Sequence, residues 1–160
     1  MNIFTLLQTI RNQVAEDANI KAWCNLYYSQ VHTVYIGMDL NNLPGEGDTP
    51  LVYLFPSGKQ SGYALEAQPH QIIATCELFN KNYEQVYGFD NCYEYTGVEH
   101  IVGFRKLVEN SILAAISTLP AMEASDMETL YSPVEEFPFF QAVDVYTINQ
   151  RLYQGDDPFS

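Results

Sequence analysis

The chain has 160 residues, 47% of them hydrophobic, with 20 acidic and 7 basic side chains and a net charge of −13. That length lets one domain bury a sizeable core without help from disulfides or metals. The cations Arg11, Lys21, Lys59, Lys81, Arg105, Lys106 and Arg151 form one adjacent pair and no cluster, which argues against sequence-specific nucleic acid and against an anionic membrane, since both are gripped by Lys and Arg.

The apolar pattern starts at once. Ile3, Leu6, Leu7, Ile10 and Val14 recur at three- and four-residue steps, so Asn2 to Glu16 is expected to be an amphipathic helix. Asp17 to Asn19 punctuates it. A short second helix, Ile20 to Tyr28, would present Ile20, Trp23, Cys24 and Tyr27 together, with Trp23 anchoring that turn to the sheet. Val31 to Gly37 is β-branched and aromatic, the composition of a strand. Residues 38–49 form an acidic loop rich in Pro, Gly and Asn, and Leu51 to Phe55 is a continuous apolar run expected as a buried strand. Pro56 to Lys59 is expected to turn the chain.

Gly62 to Asn80 predicts a long strand, or two strands broken near Pro69, which cannot donate to a ladder. Asn80 to Tyr95 is expected as an irregular loop packed by its aromatics. Thr96 and Glu99 have the spacing of a capping box at the start of the clearest helix, and Pro120 ends it. Its apolar face runs from Ile101 through Phe104, Val108 and Ile112 to Ile116. Ala121 to Val134 is expected as an acidic linker, Phe137 to Tyr146 as a final strand, and Gln154 to Ser160 as a frayed tail. The order implies one α+β domain over residues 1–153: a mostly antiparallel sheet covered by the N-terminal helix and the long central helix.

The motifs of catalysis are missing. There is no P-loop, GxGxxG, HExxH or GxSxG. His32, His70 and His100 fall in three different elements, so no metal or cofactor is expected, and no enzyme activity. Three cysteines, Cys24, Cys76 and Cys92, are an odd number without a CxxC pair; Cys76 reads as core and Cys92 as the exposed thiol. Asp39, Glu46 and Asp48 lack the alternating spacing and closing Glu of a calcium loop. Glu135 and Glu136 are adjacent, so in a strand they would point to opposite faces and fail as a glycosidase pair. Met1 to Val14 lacks the basic and apolar regions of a signal peptide, and no stretch of about 18 apolar residues exists. What remains is an aromatic surplus of 12 Tyr and 9 Phe, a composition favoured at protein interfaces. The acid is also uneven: Glu123, Asp126, Glu128, Glu135, Glu136, Asp144, Asp156 and Asp157 face only Arg151 in the last part of the chain.

In element order the chain resembles the tail-terminator and tail-completion family of long-tailed bacteriophages. The likeness is carried by the helix Ile3–Val14, the segment Ile20-Lys21-Ala22-Trp23-Cys24, and a strand running into Tyr35-Ile36-Gly37-Met38-Asp39. Pro44…Asp48-Thr49-Pro50-Leu51-Val52, the Tyr95-Thr96-Gly97 approach to the long helix and Glu135-Glu136-Phe137-Pro138 complete it. The resemblance implies a homo-oligomeric ring, typically of about six copies. Such a ring caps the tail tube and docks to a head-completion protein, assembled in the bacterial host cytoplasm and then carried in the virion tail. A head–tail connector or neck protein is a sibling reading. An acidic mimic that inhibits a basic protein is the alternative outside that class. DNA sliding through a ring would be repelled by acid, so the loop Asp39, Glu46, Asp48 and the segment Glu123, Asp126, Glu135, Glu136 are the expected interface or lumen residues.

Overall fold

A computed structural model describes residues 1–39, 41–59, 67–132 and 136–153. Helix α1 (Ile3–Glu16) begins where Asn2 Oδ1 accepts the Thr5 N–H at 2.8 Å, satisfying an orphan donor of the first turn. It buries Leu6, Leu7, Ile10 and Val14. Asp17 ends α1 and caps α2 (Ala18–Tyr28), its Oδ1 accepting from the Asn19 and Ile20 N–H groups at 2.9 and 3.1 Å. One acidic residue thus makes the corner between two helices. Ser29, left-handed at φ 56, terminates α2.

Strand β1 (Thr33–Ile36) pairs in parallel with β2 (Leu51–Lys59), and β2 pairs antiparallel with β3 (Ala67–Phe79). A short hairpin, β4 (Tyr83–Gln85) with β5 (Tyr93–Tyr95), leads into α3 (Thr96–Ser117). Strands β6 (Met122–Tyr131) and β7 (Phe139–Arg151) follow. The main sheet has the order β1-β2-β3-β7-β6, an α+β arrangement of three helices with a mostly antiparallel mixed sheet. Leu54, Ile72, Cys76, Tyr146 and Ile148 face α1 and α3 across one core. None of the described helices is long and apolar enough to cross a membrane.

Four local expectations need correction. Residues 121–134 are not a linker, because most of them are β6. Its inward residues Met122, Ala124 and Met127 are separated by an irregularity between Ala124 and Asp126. That bulge shifts the two-residue period and hides it among the exposed acids. Residues 80–95 are not irregular, since Tyr83 pairs with Tyr95 and Gln85 with Tyr93. Pro56 to Lys59 continues β2 through a bulge between Pro56 and Gly58 instead of turning the chain. Of the two readings of Gly62 to Asn80, the single long strand holds over the described residues: β3 runs unbroken through Pro69, whose partner among the described residues is Asn149 of β7. Finally, α3 has no side-chain cap. Its N-cap is Tyr95, and the Thr96 N–H donates to Asn82 O at 3.0 Å, a partner supplied by the hairpin.

Trp23 anchors α2 to α3, not to the sheet. Its ring stacks on Phe104 at 5.5 Å and meets His100 edge-on at 5.4 Å.

Candidate functional site

The β4–β5 ribbon is short, and its exposed pairs include Glu84 directly opposite Glu94. Like charges so placed oppose pairing, and isolated two-stranded ribbons are marginal. Aromatic contacts offset this. Tyr83 lies 5.2 Å from Tyr95 and 6.1 Å from Tyr93, ring to ring. Tyr95 continues edge-on to Phe137 at 5.4 Å, and Phe137 to Phe140 at 6.1 Å. The turn is closed by Val86 N–H donating to Cys92 O at 2.9 Å, with Gly88 at φ 87 supplying a left-handed residue. At its tip Tyr87 is 99% exposed and Phe89 is also exposed. An ordered ribbon that presents bare rings has no folding reason to do so.

Beside the ribbon lies a cleft of 560 Å³ between the start of α3 and the end of the β6–β7 pair. Val98 and Val102, one turn apart on α3, form one wall; Tyr131 and Phe137 form the other; Ile101 and Phe140 lie deeper. Ser132 and Gln141 are the only polar side chains among the described lining residues. Gly97 shapes this site. A Cβ there would sit 2.2 Å from the Phe140 ring, so only glycine lets the first turn of α3 rest on β7. Gly97→Ala is therefore expected to cost about 1–3 kcal/mol through overpacking, read as a lower midpoint in urea denaturation. An unchanged midpoint would show that Phe140 swings aside freely.

Behind the cleft is a charged network. Arg105 donates to Asp144 Oδ2 and to Glu109 Oε2, both at 3.0 Å, and Lys106 bridges to the same Glu109 oxygen at 3.1 Å. Asp144 also accepts from Thr129 Oγ1 at 2.6 Å and from the Tyr146 hydroxyl at 3.3 Å. Burial alone would lower the Arg105 pKa, but Asp144, Tyr131 and Glu109 together raise it above the ordinary value. Burial, and then Asp144, push the Tyr146 hydroxyl up. Arg105 and Tyr146 each keep their proton at neutral pH.

The three histidines are each hydrogen-bonded within the fold. His32 Nε2 donates to Val14 O at 2.6 Å. His70 Nε2 is 3.2 Å from Gln150 Oε1, and His100 Nδ1 shares a 2.9 Å hydrogen bond with the Tyr28 hydroxyl. Burial lowers the pKa of all three histidines. The Cys24 thiol is pushed up to about 12 and Cys76 higher still, both chiefly by burial. Cys92 is exposed on the ribbon turn. Among the described residues no three His, Cys, Asp or Glu side chains gather as metal ligands.

The residues expected from the sequence as interface or lumen fall on opposite edges of the sheet. Asp39 and Asp48 shape the loop between β1 and β2: Asp39 Oδ1 accepts the Asn41 N–H at 2.9 Å and Asp48 Oδ2 the Gly45 N–H at 2.8 Å. Glu46 is exposed in the same loop. Glu123, Asp126 and Glu128 are exposed on β6 at the far edge, where Glu123 lies 3.7 Å from Arg151. Glu136 is exposed beside Phe137, and Glu135 lies outside the described residues. The cleft itself was missed in the sequence. Its signal was the pair Val98 and Val102, which lie off the stripe of Ile101, Phe104 and Val108.

No family model matches the chain, and no curated protein matches it.

Proposed function

We propose that the chain is a structural assembly subunit acting through protein–protein contact, and that it closes as a homo-oligomeric ring on the end of a bacteriophage tail tube. The observation that carries the contact role is the run of exposed rings from Tyr83 through Tyr95 and Phe137 into the cleft, with Tyr87 and Phe89 exposed at the ribbon tip. Exposed apolar surface on an ordered ribbon is the signature of a docking element. The resemblance in element order to tail terminators supplies the tail tube and the head-completion protein as partners, with assembly in the host cytoplasm and residence in the virion tail. A head–tail connector would use the same surface.

The subunit contact is placed on the ribbon because the β6 edge is blunted. A bulge and the acids Glu123, Asp126 and Glu128 oppose strand addition there. The test is light scattering on a size-exclusion column across a salt series. The expected result is a closed species of about six copies of the 18.2 kDa chain, strengthened by salt that screens −13 per subunit. The double variant Tyr87→Ser, Phe89→Ser is expected to shift that species towards monomer by about 30-fold or more in dissociation constant, the effect of losing interface hot spots. A wild-type monomer at every salt and concentration, also in the presence of tail-tube ends, would sink the ring.

A further inference from the structure

The cleft is apolar inside and lies in a stretch of chain without cations. From residue 82 to 104 there is no Lys or Arg but four acids, Glu84, Asp90, Glu94 and Glu99. From residue 107 to 150 there is again no Lys or Arg, against seven acids. Every described residue lining the cleft comes from these two segments. Two exposed carboxylates outside any strand are chain neighbours of its lining: Glu99 follows Val98 in the first turn of α3 and Glu136 precedes Phe137. The nearest cations in sequence, Arg105 and Lys106, are already held by Asp144 and Glu109.

From this charge pattern we infer that the cleft receives a cationic amphipathic segment of a different protein, its apolar side chains entering between Val102 and Phe137 and its Lys or Arg residues meeting Glu99 and Glu136. The volume, 560 Å³, falls within the roughly 300–1,000 Å³ of binding clefts, and an amphipathic helix anchored by residues one turn apart fits such a groove. A second copy of this chain is a poor occupant. It brings a charge of −13 and only seven cations, of which Lys21, Arg105, Lys106 and Arg151 lie within ion-pair distance of acids of their own chain. An anionic bilayer would be repelled by the same carboxylates. The inference names the chemistry of a partner for the surface proposed above as a docking element, and to that extent rests on that reading.

The experiment is a fluorescence-anisotropy titration of the full-length chain with two labelled helical peptides. One has a leucine face and a lysine face; the other carries glutamate in place of every lysine. The lysine peptide is expected to bind, with affinity falling as salt rises, and the glutamate peptide is not. Val102→Lys is expected to weaken binding about tenfold or more. Asn110→Lys adds the same charge to an exposed position of the same helix outside the cleft, and is expected to change affinity less than about twofold. Failure of the lysine peptide to bind, equal binding of the glutamate peptide, or equal weakening by the two lysine variants would each overturn the inference. Circular dichroism of both variants checks that they fold. The mass of the wild-type chain in the same buffer separates the two readings. An oligomer that binds no peptide sinks the cleft assignment alone, and a chain that binds the lysine peptide yet stays monomeric at every salt and concentration, also with tail-tube ends, sinks the ring alone.

Discussion

Asp144→Ala is expected to destabilise the protein by about 3–5 kcal/mol, the cost of leaving a buried partner charge uncompensated. Asp144 is 1% exposed and accepts from Arg105, Thr129 and Tyr146. Without it the only carboxylate left to the Arg105 guanidinium is Glu109, whose Oε2 it shares with Lys106, beside the neutral hydroxyls of Thr129 and Tyr131. For a chain of this size the loss corresponds to a fall in thermal midpoint of roughly 10 °C. The double variant Arg105→Met, Asp144→Leu is expected to recover much of it, because removing both charges also removes the desolvation cost. Thermal and urea denaturation of the three proteins decide the matter. A single variant within about 1 kcal/mol of wild type would mean that water reaches Arg105.

Phe104→Ala is the second large effect, expected at about 3–5 kcal/mol from lost burial plus the cavity left behind. Phe104 is fully buried and holds α3 against Trp23 of α2. Trp23 is the only tryptophan, so its emission reports on the same contact. Unfolding followed by fluorescence should give a lower midpoint, and the native spectrum should shift as the ring loses its stacking partner. A loss below about 1.5 kcal/mol would show that α1 and the sheet close the gap.

The helices and central strands were legible because their signals are strong and local. The stripe Leu6, Leu7, Ile10, Val14 and the run Leu51–Leu54 are each buried as their periods demand. What failed was set by tertiary context. Thr96 has capping-box spacing, yet its N–H is already used by Asn82 because the helix leaves directly from β5. Glu123 to Tyr131 reads as solvated acid because an edge strand carries its charges outward and its bulge breaks the alternation. The ribbon's Tyr and Glu residues are exposed on both faces, so no polar–apolar contrast marked it. The exposed tyrosines of the ribbon were legible only as a surplus in composition, and the cleft needed Gly97 and Phe140 to be seen in contact.

The position of β7 bears on how the protein acquires its shape. This strand follows β6 in the chain but lies between β3 and β6 in the sheet, pairing residues as far apart as Ala67 and Arg151. Until it arrives, β3 offers a bare thirteen-residue edge and β6 has no neighbour at all. During synthesis the helices and the β2–β3 pair therefore emerge as an unfinished sheet, open along its middle. Contacts this distant close slowly, and an open apolar edge invites pairing with other nascent chains. The ribosome must release nearly all of β7 before the molecule can lock, so completion of the sheet is a single late event and not a gradual accretion.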